Sequence, residues 1–364
     1  MRTVKNEIIS MAKGIAIILM VVGHSPTHSF IKEFVYLFHM SLFFFLAGYC
    51  FKIGYLDDFK KFSKKRFIGL YWPFIKWNLI FLVAHNFFAA IYIIDQPAYQ
   101  LSDYLNRFIE LCMMRRSELL LGGFWFLPAL FFTSFIGWGV IKLSKGKDLK
   151  LLIIMSIMII FCILGNIYFK NHNYNITGLQ PTNILLYGVI FIFGHYIAKH
   201  KLYIMNKVSP ILTHSKSGKS KIVLLIIILA SICILISSNL FLSVQSYMTW
   251  EIPIFLIGAS CGITMVLLIC SVISNKRVKI FLVYTGNNTL SILALHFSAF
   301  KLVSYIIIIL FELELFHLSE FPFLKNPPSE SWILYSVVGV IMPLIITYQI
   351  TKLSDLKKIN IKKI

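Results

Sequence analysis

The sequence contains few charged residues, and this scarcity excludes a soluble protein of its size. Only 14% of the 364 residues are Asp, Glu, Lys or Arg, whereas 58% are hydrophobic and 15% are aromatic. A water-soluble chain of this length needs far more charge on its surface. We therefore predict an all-α, polytopic integral membrane bundle.

Paired cysteines are also missing from the sequence. The six cysteines form no CxxC motif and mostly lie within apolar runs, so we interpret them as small hydrophobic residues. Neither a metal site nor a disulfide is predicted. A cleavable signal peptide is not indicated, because the first apolar run is long and leads directly into a second.

The apolar residues form about ten segments that are long enough to cross a membrane. A span needs about 20 apolar residues. Such spans are predicted at 12–31, 33–52, 67–93, 124–142, 150–168, 182–198, 222–242, 250–273, 283–310 and 331–351. The segment 101–122 is less apolar, and we interpret it as an interfacial or re-entrant helix.

The net charge of +20 indicates membrane topology rather than nucleic-acid binding. Ten spans place both termini on one side, and most of the 35 lysines and arginines lie in the termini and loops of that side. The positive-inside rule makes this side cytoplasmic. We therefore predict a multi-pass protein of the cell inner (plasma) membrane with both termini in the cytoplasm. Membrane lipids with anionic headgroups are the expected partner of these cations.

The predicted domain organisation is simple. A single transmembrane domain covers 1–364, and no soluble domain interrupts it. The longest polar stretch, about residues 199–221, separates six predicted helices from four and is interpreted as a cytoplasmic linker. The sequence leaves the oligomeric state open, with a homo-oligomer among the alternatives.

Two histidines in the first two spans are candidate catalytic residues, since ionisable groups inside a membrane are costly and usually functional. If the first two spans turn near Ile31, His24 and His39 each lie about eight residues from the turn. They would then be at equal depth, about 11 Å below it. One imidazole could act as a general base. The alternative is a hydrogen-bonded structural pair.

Two cations on the predicted cytoplasmic side are candidate contacts for an anionic ligand. Lys13 precedes His24 by a Lys-x10-His spacing that covers roughly 16 Å of helix, a length that suits an elongated molecule with a charged head. Lys13 could instead be a snorkelling lysine at a helix end. Arg66 is the last cation before the third span and is placed to hold phosphate.

Further polar residues are cavity or acceptor candidates. Arg115 and Arg116 precede the fourth span on the predicted outer side, where they either line an acceptor site or are neutralised by Glu118. In the ninth span, Asn288 could contact a ligand or cap the helix, and His296 could line the same cavity. The acidic residues are predicted in loops or near span ends, which weakens an ion-driven transporter.

Five motifs in order resemble the acyltransferase-3 family of integral membrane acyltransferases, and within it the branch similar to fucose 4-O-acetylases. The motifs are Lys13-x10-His24, FHMSLFFFLAGY (38–49), KKRFIGLYWP (64–73), GFWFLPALF (123–131) and TGNNTLSILALH (285–296). The resemblance covers almost the whole chain. The fourth motif adds Trp125 to the cavity candidates.

The resemblance implies a ten-helix enzyme that O-acetylates carbohydrates of the cell envelope with acetyl-CoA as donor. It implies that Lys13 helps to handle the donor, that His24 is the essential histidine and that His39 is the histidine of the second-span motif. Arg66 matches the arginine ahead of the family's proline. The chain departs from the pattern because no second arginine lies between Arg66 and Pro73.

We therefore predict a membrane O-acyltransferase that moves an acetyl group from acetyl-CoA to a hydroxyl of a cell-envelope glycan or lipid-linked sugar. An intramembrane histidine, His24 or His39, would be the general base. The other histidine would support or orient the oxyanion. Two alternatives stay open: an exporter of polysaccharide or lipid-linked sugar, and an O-succinyltransferase of the same fold. Neither a metal nor nucleic acid is an expected partner.

Overall fold

The protein is a bundle of membrane-spanning helices. The computed structural model describes residues 2–115, 118–171, 180–201, 218–237 and 251–361. These described residues are mostly helical and include no strand. Ten of their helical segments are long and apolar enough to cross a membrane, which confirms the predicted polytopic all-α architecture.

Fourteen α-helices occur in the described part of the chain. They are α1 Arg2–His24, α2 Ser29–Tyr36, α3 His39–Tyr49, α4 Phe59–Arg66, α5 Trp72–Ala90, α6 Leu101–Cys112, α7 Phe126–Ser144, α8 Asp148–Asn171, α9 Pro181–Lys199, α10 Gly218–Ser237, α11 Glu251–Val272, α12 Lys276–Asn287, α13 Thr289–Leu310 and α14 Ser331–Ile361. A π-helical turn, Phe67–Tyr71, joins α4 to α5. Short 3₁₀ helices lie at Ile53–Tyr55, Leu119–Trp125 and Leu315–Ser319.

The outer surface of the bundle is apolar. Helix α8 exposes Ile153, Ile160 and Phe161, and α10 exposes Leu224 and Ile227. A soluble protein would bury side chains of this kind in such numbers, whereas a lipid bilayer solvates them. The amphipathic helix α6 has only 12 residues and is too short to span, in agreement with an interfacial helix in this segment.

Close helix crossings depend on glycines, as is common in membrane bundles. Helix α1 crosses α12 where a Cβ on Gly14 or Gly286 would collide with backbone carbonyl oxygens of the opposite helix. Helix α3 crosses α9 in the same way, because a Cβ on Gly48 would collide with the carbonyl oxygen of Phe191. The first crossing fixes α12 against α1, so the start of α13 is held beside Lys13.

The turn between the first two spans differs from the prediction. Helix α1 ends at His24 and α2 begins at Ser29, so the turn lies at 25–28 and not near Ile31. The second span is also broken, since α2 ends at Tyr36 and α3 begins at His39. The equal-depth argument for the two histidines is therefore wrong. Polar residues in SPTHS end the first helix earlier than hydropathy indicated.

One other predicted boundary differs from the structure, and one predicted segment lies mostly outside the described residues. The ninth span begins at Thr289 rather than 283, because the separate helix α12 runs up to Asn287. Most of the predicted linker, residues 202–217, lies outside the described residues. The single-domain organisation over 1–364 stays a prediction.

Candidate active site

Two histidines from distant parts of the chain form one hydrogen-bonded pair. His24 Nδ1, at the end of α1, lies 3.0 Å from His296 Nε2 in α13. Their rings stack with centroids 5.2 Å apart. His296 is fully buried, whereas His24 as a whole residue is partly exposed.

Backbone contacts assign the tautomers of this pair. His296 Nδ1 lies 3.1 Å from the carbonyl oxygen of Ile292 and 3.0 Å from that of Leu293. Because carbonyl oxygens only accept, neutral His296 carries its proton on Nδ1 and has a bare Nε2. His24 must then donate from Nδ1 to that nitrogen. The remaining nitrogen, His24 Nε2, is left with a lone pair.

Aromatic side chains and two glycines surround the pair. The ring of Phe297 stacks on His24 with centroids 5.2 Å apart. Tyr36 contacts His24 edge-on and donates its hydroxyl to the carbonyl oxygen of Gly23 at 2.9 Å. On the opposite side, a Cβ on Gly123 would lie 3.7 Å from His24 Cε1 and 3.5 Å from His296 Cε1. Glycine there leaves room beside both imidazoles.

His39 is close to this group but has a different partner. Its Nδ1 donates to the carbonyl oxygen of Val35 at 2.8 Å, and the side chain is buried. The Tyr36 ring contacts both His39 and His24, with centroid distances of 5.3 and 6.4 Å. Neutral His39 has a bare Nε2 and so cannot donate to an oxyanion. Its contact bridges the break between α2 and α3.

A cavity of about 410 Å³, here named the large cavity, follows α1 toward the histidines. Lys13, Ile17 and Met20 line it on successive turns of α1, and Leu293 lines it on α13. His24 and His296 follow these residues by one helical turn on their respective helices. The inner end of the large cavity is therefore apolar and adjacent to the histidine pair.

The end of the large cavity away from the histidines is cationic. Lys13, Lys65 and Arg66 all line it. Arg66 Nε is buried and has no hydrogen-bond partner among the described residues, and its guanidinium lies 5.2 Å from the centre of the Phe62 ring. An unsatisfied cation at a cavity mouth is well suited to an anionic group. The structure thus brings predicted Lys13 and Arg66 to one cavity.

The π-helical turn after Arg66 borders the same space. Gly69 and Leu70 line the large cavity, and a Cβ on Gly69 would meet nothing within 4 Å. Single π turns inside helices often mark functional sites. The motif KKRFIGLYWP therefore forms a wall of the large cavity, with its arginine and glycine both facing the open space.

A second cavity of about 190 Å³, here named the small cavity, is lined by Gly122, the neighbour of Gly123. Its polar lining residues are Gln96, Tyr99, Arg107 and Glu118, joined by Leu119, Gly122 and Phe321. Gln96, Tyr99 and Arg107 were not among the sequence candidates. The lower apolarity of the segment 101–122 was a sequence signal for Arg107 but not for Gln96 or Tyr99.

Glu118 is part of a buried pair with His85. Glu118 Oε2 lies 3.3 Å from His85 Nδ1, and His85 Nε2 lies 3.1 Å from the carbonyl oxygen of Pro97. Both groups are at least 95% buried. Glu118 directly precedes the fourth span, which begins at Leu119, so it lies near a span end as predicted, although it is buried and bonded to His85. The side-chain oxygen of Asn78 accepts a hydrogen bond from the backbone N–H of Glu118 at 3.0 Å and so fixes the position of Glu118.

Of the other predicted cavity residues, the three described ones, Arg115, Trp125 and Asn288, line neither cavity. Arg115 is exposed, and Arg116 lies outside the described residues. Trp125 packs against Tyr187 with centroids 6.1 Å apart. Asn288 was considered as a cap for the ninth span, but its side chain donates backward to the carbonyl oxygen of Tyr284 at 2.8 Å.

An intramembrane lysine was missed by the sequence reasoning. Lys301 is buried in α13, and its Nζ donates to the carbonyl oxygens of Leu318 and Glu320 at 2.8 and 2.6 Å. These bonds hold the following loop so that Phe321 contacts Phe297, with centroids 4.8 Å apart. Its position inside an apolar run was the available signal.

Comparison with known proteins gives one match. The model of the acyltransferase-3 family, described as an acyltransferase domain, matches residues 6–351, which is nearly the whole chain. No curated protein and no solved structure matches the chain.

Proposed function

The chain belongs to the acyltransferase-3 family, and from this premise we propose that it moves an acetyl group from acetyl-CoA to a hydroxyl of a cell-envelope glycan. A multi-pass membrane acyltransferase follows from the family and the ten spans. The acetyl donor, the glycan acceptor and the branch similar to fucose 4-O-acetylases are part of the proposal. The observation that carries it is a cationic, elongated cavity that ends beside a histidine with a bare nitrogen.

In this proposal His24 is the general base. Its Nδ1 is committed to His296, so Nε2 holds the lone pair, and the residue is partly exposed. When Nε2 takes a proton, the imidazolium still donates from Nδ1 to neutral His296 and is stabilised by that bond. His39 has its donor nitrogen committed to a backbone carbonyl, so we assign it a positioning role at the helix break.

The large cavity is proposed to hold the donor. Lys13, Lys65 and Arg66 at its cationic end would bind the phosphates of CoA, and the apolar walls toward Met20 and Leu293 would contact the pantetheine arm. The thioester would then lie within about one helical turn of the histidines. This arrangement keeps the charged and reactive ends of one long molecule at opposite ends of one cavity.

The chemistry balances with these groups alone. His24 Nε2 takes the hydroxyl proton as the acceptor oxygen attacks the thioester carbonyl carbon. A carbon–oxygen bond forms, the carbon–sulfur bond breaks, and the CoA thiolate leaves with the proton from the imidazolium. His24 is thereby restored to its neutral form. Neutral imidazole is suited to this exchange near neutral pH.

The two alternatives are less well supported. A succinyl group would add a negative charge at the inner end of the large cavity, where the lining residues Met20 and Leu293 are apolar. The buried amine of Lys301 is already bonded to two carbonyl oxygens. An exporter has no need of a histidine pair whose tautomers leave one nitrogen bare. We therefore favour acetyl transfer over both alternatives.

The setting of the enzyme is also proposed. With the basic loops on the cytoplasmic side, both termini and the cationic end of the large cavity face the cytoplasm of the plasma membrane, where acetyl-CoA is supplied. Anionic lipid headgroups would contact the remaining basic residues. A homo-oligomer is compatible with this arrangement.

The first experiment tests the base. Purified protein in lipid nanodiscs is incubated with labelled acetyl-CoA and a glycan fraction from cell envelopes. His24→Ala should lower transfer by about 10²–10⁴-fold, the usual contribution of a general base, whereas His28→Ala, in the exposed turn, should leave it unchanged. Undiminished transfer by His24→Ala would remove His24 from the mechanism. Glycan movement across vesicles without acetyl-CoA turnover would favour the exporter.

The second experiment tests the donor position independently of transfer. Cys50 lines the large cavity and is exposed, so bound acetyl-CoA should slow its alkylation in a variant whose other five cysteines are replaced by serine or alanine. Lys13→Glu should raise the acetyl-CoA concentration needed for protection about tenfold or more. Lys52→Glu, at an exposed lysine, is the matched control. If Lys13→Glu leaves the protection of Cys50 by acetyl-CoA unchanged, Lys13 does not bind the donor and is a snorkelling lysine.

A further inference from the structure

We propose that the small cavity is the acceptor subsite and that it binds an uncharged, polyhydroxylated unit such as a neutral sugar residue. The inference rests on the proposed function, because a transferase needs a second substrate beside its base. It goes beyond that function by assigning a position, a set of contacts and a charge class to the acceptor.

The small cavity lies across the histidine pair from the large cavity. Along the chain from Glu118 to Leu130, residues first line the small cavity, then Gly123 borders both histidines, and then Phe126 and its neighbours line the large cavity. Helix α13 shows the same succession in the reverse direction. Leu293 lines the large cavity, His296 follows, and the next residue, Phe297, contacts Phe321 of the small cavity.

Few atoms lie between the small cavity and His24. A Cβ on Gly122 would lie 3.3 Å from Phe297 Cε2 and 3.7 Å from Phe321 Cζ, and the adjacent Gly123 approaches His24. Both positions lack a side chain, so the barrier consists of glycine backbone and the edge of the Phe297 ring. A hydroxyl of a ligand in the small cavity would therefore approach His24 past Gly123.

The lining groups match the hydrogen-bonding needs of a polyol. Gln96 Oε1 is buried and has no hydrogen-bond partner among the described residues, so it can accept from a ligand hydroxyl. Arg107 contacts Glu110 at 3.3 Å through Nη1, which uses one of the five donors of a guanidinium. Donors and an acceptor thus line one small space, as hydroxyl groups require.

The charges around the small cavity favour a neutral ligand. His85 donates to the carbonyl oxygen of Pro97 through Nε2. Its contact with Glu118 through Nδ1 then requires a proton between the two groups. Either an imidazolium faces a carboxylate, or a neutral imidazole faces a carboxylic acid. The pair carries no net charge in either form. Arg107 is balanced by Glu110. Among the described lining residues, no excess cation is left for a phosphate or a uronate.

The volume also limits the ligand. At about 190 Å³ the small cavity is below the roughly 300–1,000 Å³ of sites for drug-sized molecules. One sugar unit is of suitable size, whereas an oligosaccharide would have to extend beyond the cavity. The aromatic side chains of Tyr99 and Phe321 in the lining supply apolar surface for the C–H groups of such a ring.

The test measures the acceptor and the donor separately in the same protein. Labelled acetyl transfer is measured in nanodiscs with methyl glycosides of neutral hexoses and of uronic acids as the probes, over a range of acceptor concentrations. Gln96→Leu and Arg107→Met should each raise KM for neutral glycosides about 5- to 20-fold. The KM for acetyl-CoA and the protection of Cys50 should stay unchanged. The matched controls are Gln349→Leu and Arg277→Met.

The outcomes separate this inference from the proposed function. If acetyl-CoA neither protects Cys50 nor is turned over by the wild type, the proposed function is wrong. Intact donor binding with an unchanged acceptor KM in both variants would remove the acceptor assignment alone. Transfer only to the uronic acid glycosides, or to none of the glycosides, would overturn the neutral-sugar class. A raised KM in both variants with neutral glycosides as acceptors is the expected result.

Discussion

The two buried histidine pairs, His24–His296 and His85–Glu118, differ in where their hydrogen bonds end. The first chain of hydrogen bonds begins at a backbone carbonyl of α13, passes through His296 and leaves His24 Nε2 bare. The second begins at the carbonyl oxygen of Pro97 and ends on a carboxylate, so both nitrogens of His85 are committed. The first hydrogen-bond chain leaves one nitrogen bare, is here called the open chain, and provides a base. The second, in which both nitrogens are bonded, is here called the closed chain and provides stability.

Removing His85 should have the largest effect on stability. His85→Phe leaves the buried Glu118 carboxylate without its imidazole and should lower the free energy of unfolding by about 2–4 kcal/mol. Thermal unfolding in detergent or nanodiscs measures the change. His195→Phe is a matched control, because His195 is buried but its Nδ1 has no hydrogen-bond partner among the described residues. Equal losses in both variants would contradict a stabilising role for the closed chain.

Removing the partner of the base should lower the rate of acetyl transfer. His296→Leu takes away the acceptor that fixes the His24 tautomer, and acetyl transfer should fall about 100-fold. His296→Gln offers an amide oxygen to His24 Nδ1 and should recover part of that loss. Transfer rates at saturating substrate check both variants. If Leu and Gln at this position behave alike, tautomer control is not the role of His296.

Narrowing the space beside the open chain should have the smallest effect. A Cβ on Gly123 would lie 3.1 Å from Leu293 Cδ1, so Gly123→Ala should displace Leu293 by a few tenths of an ångström and place a methyl group in contact with both imidazoles. We expect a 3- to 10-fold lower transfer rate. Gly139→Ala, where a Cβ meets nothing within 4 Å, should leave the rate unchanged. Full activity of Gly123→Ala would show that the geometry tolerates this shift.

The ten spans could be predicted because long apolar runs dominate each of them. The partner of His24 could not be assigned, although His296 was a candidate. Depth arithmetic compares neighbouring helices, which favoured His39, whereas the glycine crossing of α1 and α12 brings a helix 272 residues away in sequence to His24. Contacts of this range depend on packing that periodicity does not encode.

The two cavities were predictable to different degrees. The cationic end of the large cavity follows from charges that precede spans on one side, so Lys13 and Arg66 were identifiable. The small cavity depends on the non-helical segment before α6, on the buried pair of Glu118 and on the loop held by Lys301. No apolar period marks such a segment, and its polar residues resemble those of an ordinary loop.

The comparison between the two pairs is tested most directly by measuring single-turnover acetyl transfer and thermal unfolding for His24→Gln and His85→Gln side by side. The account predicts that His24→Gln lowers the transfer rate by about 10²–10⁴-fold with an unchanged melting temperature. It predicts that His85→Gln lowers the melting temperature while folded protein keeps its transfer rate within about tenfold. Wild-type transfer by His24→Gln would contradict the assignment of His24 as the base, and abolished transfer by fully folded His85→Gln would contradict the purely stabilising role of His85.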